Sequence, residues 1–331
     1  EDITLISPHQ APGLYEAFGT EDFDDLYLKY EADKTIPKKT VAAQDLFGDL
    51  LKERAETGRI YIMNLDHCNS HSSFKDKISM SNLCQEITLP TTPIQDIHDD
   101  QGEIALCILS AVNVGGLNDL GELESICDLA VRALEQIIDY QDYPVKAAEV
   151  STKRRRSLGV GYIGLAHYLA KHGVKYSDPK AWDLVDRLSE AFQYHLLRAS
   201  CNIAMEKGKC EAFDRTKYAD GLLPIDHYKK DVDKIVPHKQ RMAWESLRKD
   251  IAKYGLRHST LSAQMPSESS SVVSNETNGI EPPRALLSIK KSKKGPLKQI
   301  APGFPKLKND YTLLWDMPSN EGYINVVAMM Q

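Results

Sequence analysis

Apolar positions along this chain recur in two periods, one close to helical and one strand-like, and polar turns separate them. From Thr40 onward, Leu46, Phe47, Leu50 and Leu51 share one helical face, predicting a helix to about Thr57 that Gly58 stops. Residues 59–64 (Arg-Ile-Tyr-Ile-Met-Asn) predict a buried strand, and residues 66–81 a polar loop. The continuous apolar run over 104–114 is that of a strand buried on both faces. Leu123, Ile126, Cys127, Ala130, Val131, Leu134, Ile137 and Ile138 keep helical spacing, with Pro144 beyond the end. A third strand candidate begins at Leu158. Asp178-Pro179 opens a long helix through Leu184, Leu188, Phe192 and Leu196, and a further helix is expected from Met242 to Tyr254, ended by Gly255. Short apolar segments at Leu261, Ala285 and Tyr323 complete the pattern, while residues 8–40 read as irregular. Short buried strands alternating with long amphipathic helices predict an α/β fold with a mainly parallel sheet.

Composition narrows the function classes. The 331 residues are 42% hydrophobic and 27% charged, a globular balance with room for one large or two ordinary domains. A net charge of -6 and a pI near 6.0 argue against nucleic acid as a partner. No apolar run reaches the roughly 20 residues of a membrane helix, so no membrane partner is expected. The opening residues lack the basic and apolar regions of a secretory signal. Six irregularly spaced cysteines (68, 84, 107, 127, 201 and 210) do not form a disulfide scaffold, which fits a reducing, cytoplasmic setting with any disulfide transient and catalytic. The chain begins at Glu1 and stops at Gln331 after an apolar run, which suggests a portion of a longer protein.

The segment Asn82-Leu83-Cys84-Gln85-Glu86 carries the most chemistry. If it is extended, Asn82, Cys84 and Glu86 point the same way, bringing an amide, a thiol and a carboxylate together. Cys107, in the next apolar run, would add a second thiol. Such a set suits redox chemistry on a polyhydroxylated substrate; the plainer reading is chance alternation in a loop. Cys84 could act as a nucleophile, a metal ligand or a one-electron carrier. His67, Cys68 and His71 lack the paired Cys spacing of structural zinc sites, so no metal site is expected. A sulfur radical remains open, because S–H and sugar C–H bonds are of similar strength.

Three further stretches need weighing. Met265-Pro266-Ser267-Glu268-Ser269-Ser270 could open a helix whose N–H groups bind phosphate, or be a Ser-rich turn; residues 278–284 read as a rigid turn closing the same region. Gly159-Val160-Gly161-Tyr162-Ile163-Gly164 matches the dinucleotide fingerprint, but Lys153, Arg154, Arg155 and Arg156 precede it where that fingerprint needs a buried strand. The basic runs over 153–156 and 290–294 read as solvated faces, with contact to an anionic substrate open for the first.

Taken together, these segments resemble the large catalytic subunit of class I (aerobic) ribonucleoside-diphosphate reductases of bacterial or phage type. The resemblance rests on Ser7-Pro8-His9, Pro12-Gly13-Leu14-Tyr15, Gly58-Arg59-Ile60-Tyr61, Asp66-His67-Cys68-Asn69, residues 82–87, residues 102–107, residues 265–270 and residues 278–284, in order. It implies part, roughly the second half, of an α/β barrel with a central finger loop, spanning residues 1–331. The N-terminal effector region, the first barrel half and the C-terminal tail would be absent. By this resemblance Cys84 is the transient thiyl radical, Glu86 takes the 3′-hydroxyl proton, Asn82 holds substrate and loop, and Cys107 is one of two reducing thiols. Leu83 and Gln85 would line the substrate, and Pro266, Ser267, Glu268, Ser269 and Ser270 would bind its diphosphate.

The implied partners are a ribonucleoside diphosphate, the metal-containing small (beta) subunit that supplies the radical, the missing half or a second alpha chain, and thioredoxin or glutaredoxin as electron donor. No cofactor is expected on this chain directly. The setting would be bacterial cytoplasm, or that of the host for a phage protein. Alternatives are a noncatalytic assembly fragment of the same subunit and a nicotinamide-dependent oxidoreductase built on Gly159 to Gly164. The radical reading requires Cys84 to lie in a sheltered pocket facing Cys107, and half a barrel is expected to expose apolar faces and dissolve poorly alone.

Overall fold

The computed structural model describes residues 2–293 and 295–331, in two units: Glu1–Ser72 with Lys77–Pro90, and Ser73–Asp76 with Thr91–Gln331. In the first unit, β1 (Asp2–Ile6) pairs antiparallel with β2 (Lys38–Ala42), and α1 (Leu14–Ala17) and α2 (Phe23–Ala32) lie between them in sequence. The stretch over 8–40 is therefore ordered, not irregular. Tyr27 ties α2 to β1: its hydroxyl donates to Thr4 O at 2.7 Å and accepts from Thr4 N–H at 2.9 Å. α3 (Ala43–Thr57) ends at Gly58 in the left-handed region, as its spacing predicts. It starts at Ala43 instead of at a Thr40 cap, because Thr40 is paired with Thr4 in β2. The face of α3 read as apolar is open, with Phe47 56% exposed.

Residues 59–64 are not a strand. A strand is made by backbone pairing, and among the described residues these have no ladder partner. Tyr61 and Ile62 are exposed accordingly. α4 (Leu65–His71) follows, carrying Cys68.

The second unit holds the parallel strands. β3 (Ile108–Asn113) runs beside β4 (Leu158–Ile163), with Ile108 opposite Leu158 and Asn113 opposite Ile163. The crossover that a parallel pair requires is made by α5 (Glu122–Tyr140) and α6 (Lys146–Arg155). α7 (Leu165–Lys171), α8 (Pro179–Lys207), α9 (Pro224–His227) and α10 (Trp244–Tyr254) lead to residues 260–263. There Ser262 bridges Val160 in parallel, and Val160 N–H donates to Leu261 O at 2.8 Å. Since Val160 also pairs with Ser110, β4 is the middle of three parallel segments. α11 (Glu268–Val273), the antiparallel hairpin β5 (Leu287–Ser292) and β6 (Gly295–Ile300), and α12 (Glu321–Met330) complete the unit. Among the described residues the parallel arrangement is thus confined to β3, β4 and residues 260–263.

All six residues of β4 are buried, as expected for a central strand. β3 differs from the doubly buried strand its apolar run predicts: it starts later, at Ile108, and Leu109 is 41% exposed. Leu123, Cys127, Val131, Leu134 and Ile138 of α5 pack with Leu188, Leu196 and Leu197 of α8 over Val112, Val160 and Tyr162. The helical spacing read for α5 and α8 is therefore the core-facing stripe of each. Asp178 caps α8 by accepting from Lys180 N–H at 2.9 Å.

Gly161 sets how closely the third segment approaches, because a Cβ there would lie 2.4 Å from Ala263 O. A second constraint is Glu135, which is fully buried on α5. Its Oε2 accepts from Arg156 Nε at 2.8 Å and from His258 Nε2 at 3.1 Å, and its Oε1 from Arg257 Nε at 2.8 Å. Burial alone would raise this carboxyl, but hydrogen bonds from His258, Arg156 and Arg257 outweigh it and hold it at about 2. His258 is pushed below its ordinary value, burial outweighing the Glu135 carboxylate. The neutral ring donates from Nε2 to Glu135, and its Nδ1 accepts from the Ser200 hydroxyl at 2.9 Å.

Gly161→Ala should lower stability to urea by about 1–3 kcal/mol through overpacking. Gly48→Ala, in the open interior of α3, should instead raise stability by roughly 0.5–1 kcal/mol. Both depressed groups stabilise above their unfolded values, so stability should fall as pH drops below the histidine value of 6.5 and again from 4.5 towards about 2. Glu135→Gln should cost about 3–5 kcal/mol at neutral pH and flatten the lower limb, as read by chemical unfolding at several pH values.

Candidate active-site segments

The Cys84 segment belongs to the first unit and has no regular secondary structure. Its start is fixed by Asn69 of α4, whose amide donates to Ile78 O at 2.9 Å and accepts from Ile78 N–H at 2.8 Å. Ile78 on one side and Leu89 and Pro90 on the other are buried, so the loop is pinned at both feet. At its crest Gln85 N–H donates to Asn82 O at 3.2 Å, with Gln85 at φ +62. The Asn82 side chain closes the loop by accepting from Ile87 N–H at 3.3 Å, and Ser81 donates to Ile87 O at 2.9 Å.

This turn corrects the extended reading. A left-handed residue between Cys84 and Glu86 breaks the alternation that would aim Asn82, Cys84 and Glu86 one way. Asn82, Leu83 and Cys84 are exposed instead of sheltered. Glu86 is half-buried, and its Oε2 is buried without a hydrogen-bond partner among the described residues. A buried, unpaired carboxylate oxygen is costly and calls for a donor.

Cys107 belongs to the second unit and immediately precedes β3. The thiol is half-buried beside Gly159, where a Cβ would come within 3.4 Å of its Sγ. The chain ahead of it is held by the reciprocal backbone bonds of Glu103 with Thr92, at 3.0 and 3.1 Å, and by Ile104 N–H to Ala147 O.

In the same unit, residues 265–270 continue from the third parallel segment. The Gln264 amide extends the sheet by accepting from Tyr162 N–H at 3.2 Å and donating to Tyr162 O at 2.9 Å. Pro266 is exposed, Ser267 is buried, and α11 begins at Glu268 with Ser269 and Ser270 exposed. Ser267 Oγ donates to Asn278 Oδ1 at 3.4 Å, joining the turn over 278–284 to this region, and Tyr176 donates to Ile280 O at 2.7 Å, tying the same turn to the chain ahead of α8.

The glycines of the dinucleotide-like motif lie inside and just after β4. Gly159 makes room for Leu109, Gly161 for Ala263, and Gly164, at φ +83, for Glu276. Each therefore has a packing reason. Among the described residues, no group of three or more His, Cys, Asp or Glu side chains is placed to hold a metal ion, and no helix is long and apolar enough to cross a membrane.

The basic run over 153–156 is only partly a solvated face. Lys153 is exposed beside Glu149, but Arg155 and Arg156 are buried in ion pairs. Arg156 adopts the left-handed conformation at the end of α6, so adjacent guanidinium groups take different partners: Glu103 and Asp76 for Arg155, Glu135 and Asp139 for Arg156. Sequence reasoning missed Asp76, Glu103 and Arg215, which complete these pairs. The available signal was a charged run abutting the fully apolar start of β4. In the run over 290–294, Lys294 lies outside the described residues.

Comparison with known proteins agrees with the motifs. A family model described as "Ribonucleotide reductase, barrel domain" matches residues 1–321. The ribonucleoside-diphosphate reductase subunit alpha of Haemophilus influenzae is 57% identical over 335 residues, covering 100% of this chain and 44% of that protein. The corresponding Escherichia coli subunit (ribonucleoside-diphosphate reductase 1 subunit alpha) is 54% identical with the same coverage, and the phage T4 subunit alpha 42% identical over 99% of this chain and 44% of its own length. The chain thus spans less than half the length of these relatives. With the matched family model covering nearly every residue, the chain belongs to the ribonucleotide reductase barrel-domain family.

Proposed function

We propose that this chain supplies the radical-thiol loop and one reducing thiol of a class I ribonucleoside-diphosphate reductase large subunit. The observation that carries the reading is the Asn82-closed loop. It presents an exposed thiol at Cys84 and, two residues on, a buried carboxylate oxygen at Glu86 with no partner among the described residues. A substrate hydroxyl is a fitting donor for that oxygen.

In this reading the Cys84 sulfur radical takes the ribose 3′ hydrogen, forming S–H as the C–H bond breaks. Glu86 accepts the 3′-hydroxyl proton while the 2′-hydroxyl leaves as water with a proton from a thiol. Cys107 and a second thiol supply two electrons and become a disulfide, one thiol hydrogen leaving in the water and the other going to the 2′ carbon; Glu86 returns its proton to the 3′ oxygen, the 3′ hydrogen returns from Cys84 to carbon, and the sulfur radical is regenerated. Leu83 and Gln85 flank the reacting group, and Pro266 to Ser270 bind the diphosphate, where exposed first-turn hydroxyls on α11 are available. Glu268 opposes an anion there, so serine and backbone donors would have to dominate.

Radical chemistry needs water excluded, and Cys84 is exposed in this chain. The cover, the second thiol, the effector sites and contacts with the small subunit would come from the length that the relatives have beyond this chain. The small subunit would supply the radical, and thioredoxin or glutaredoxin would reduce the disulfide, in the cytoplasm.

Mixing this chain with a complementary chain, the radical-generating small subunit and a dithiol reductant should convert ribonucleoside diphosphates to deoxynucleotides. Cys84→Ser should abolish product, because a hydroxyl O–H bond is too strong for the exchange. Glu86→Gln should lower kcat about 10²–10⁴-fold, the usual share of a general base, without loss of fold by circular dichroism. A complete assembly that yields no deoxynucleotide would leave the chain a noncatalytic assembly fragment.

A further inference from the structure

Glu276 lies just past α11 in the second unit and is only 3% exposed. Its Oε1 accepts from Thr277 N–H at 2.8 Å and its Oε2 from His167 Nδ1 at 3.0 Å. His167, on α7, is its one ion-pair partner among the described residues. Two glycines make room for the pair: a Cβ on Gly115 would lie 2.5 Å from Glu276 Oε2 and 2.8 Å from His167 Nδ1, and a Cβ on Gly164 would lie 2.7 Å from Glu276 Cγ. The His167 ring stacks on Tyr311, with centroids 6.4 Å apart and planes 20° apart.

Backbone bonds carry this anchor into the segment before it. α11 has six residues, far below the length at which a helix stands alone. It ends in a Schellman turn: Asn275 is left-handed at φ +49, its N–H donates to Val272 O at 3.1 Å, and Glu276 N–H donates to Ser271 O at 2.8 Å. An apolar contact commonly closes such a turn from the Glu276 position. Here a buried charge does so, which makes the turn depend on His167. Glu276 O also accepts from Gln299 Nε2 at 2.8 Å, and Thr277 O and Gly279 O accept from Gly164 N–H and Leu165 N–H at 3.0 and 3.3 Å. At the other end Ser267 meets Asn278. Residues 267–278 therefore form a closed loop with one buried carboxylate as its inner anchor, and Ser269 and Ser270 are carried exposed on it.

We infer that His167 and Glu276 are positioning residues for the diphosphate contacts: by fixing the turn after α11 they set where the Ser269 and Ser270 hydroxyls are presented. The inference rests on the proposed function for the identity of the ligand, but the ordering of the segment can be measured without turnover. A buried carboxylate suits the task because its donors aim it, and losing a donor leaves a desolvated charge that no longer holds its place.

The test compares the full chain with His167→Phe, which keeps a ring against Tyr311 and removes the donor, and with His167→Asn, whose amide nitrogen replaces Nδ1. Amide exchange over 267–276, read by mass spectrometry, should speed up roughly 10- to 100-fold in His167→Phe, the weight of a hydrogen bond to a charged group. His167→Asn should return it towards the parent rate. Glu276→Ala, which strands no charge, should act like His167→Phe, so a misfolded Phe variant does not end the test. Glu190→Gln, which breaks a comparably buried cluster with Arg241 and Trp244, should leave 267–276 unchanged. In the assembled enzyme His167→Phe and Glu276→Ala should raise KM for the ribonucleoside diphosphate about 10-fold with kcat little changed, the pattern of lost binding, and His167→Asn should restore KM. KM does not depend on how many molecules are folded, so simple destabilisation leaves it alone. Unchanged exchange in the folded Phe and Ala variants overturns the inference, as does equal speeding in His167→Asn or Glu190→Gln, or an active assembly in which KM does not move. Faster exchange together with a wild-type assembly that makes no deoxynucleotide would reject the proposed function and leave the ordering role standing.

Discussion

Two adjacent arginines at the foot of a buried strand fix where that strand lies within the second unit. A guanidinium cannot shed its charge, so once buried it must be met by carboxylates. Arg155 and Arg156 are both buried, and the left-handed turn at Arg156 gives them separate sets of acids. β4 begins two residues later, with its foot fixed by Glu103 and Asp76 through one arginine and by Glu135 and Asp139 through the other. A shift of β4 along its axis would leave charges unpaired in a low-dielectric interior, where the penalty is largest. Position along the strand is thus set by charge, and side-chain packing then fills the space around it.

From that fixed strand the candidate chemistry of the second unit follows by short steps. Gly159 leaves room beside β4 for the Cys107 sulfur, and Gly161 lets the Ala263 carbonyl approach. The Gln264 amide continues the ladder where backbone pairing ends, so the chain leaves towards Pro266 and Ser267 in a defined direction. Glycines that mimic a cofactor fingerprint are here spacers within a sheet. What distinguishes the two uses is place: a phosphate-binding glycine lies in the turn after a strand, whereas Gly159 and Gly161 lie inside one.

The legible parts of this chain are those where one local pattern decides the outcome. α5 and α8 were readable because their apolar stripes face the core, and α10 and the end of α3 because Gly255 and Gly58 stop them. β4 was readable from its apolar run. The strand expected over 59–64 failed because its pattern has no ladder partner among the described residues, and α2 was missed because aromatic and acidic residues mask its spacing. The site was legible as an inventory and not as a geometry. Asn82, Cys84 and Glu86 could be named from their types, but alternation assumed an extended backbone, and the positive φ at Gln85 is a turn that spacing does not encode. The acids that hold Arg155 were invisible for a different reason. Asp76 lies 79 positions away and Glu103 52, and such pairings come from the fold alone.

The turn at Gln85 also changes what the Cys84 loop can do. An extended segment would commit amide, thiol and carboxylate to one direction and leave the surrounding chain to provide depth. With the turn, Asn82 spends its carbonyl oxygen on Ile87 N–H, which leaves its amide N–H groups as the donors for a ligand. Cys84 takes the crest, where a reactant can reach the sulfur, while Glu86 is drawn inward with one oxygen deprived of water. A carboxylate oxygen in that state gains more from a hydroxyl donor than a hydrated one does, because no solvent bond has to be given up. The same turn therefore separates two environments that a flat strand would make alike: an exposed sulfur and a partly desolvated carboxylate.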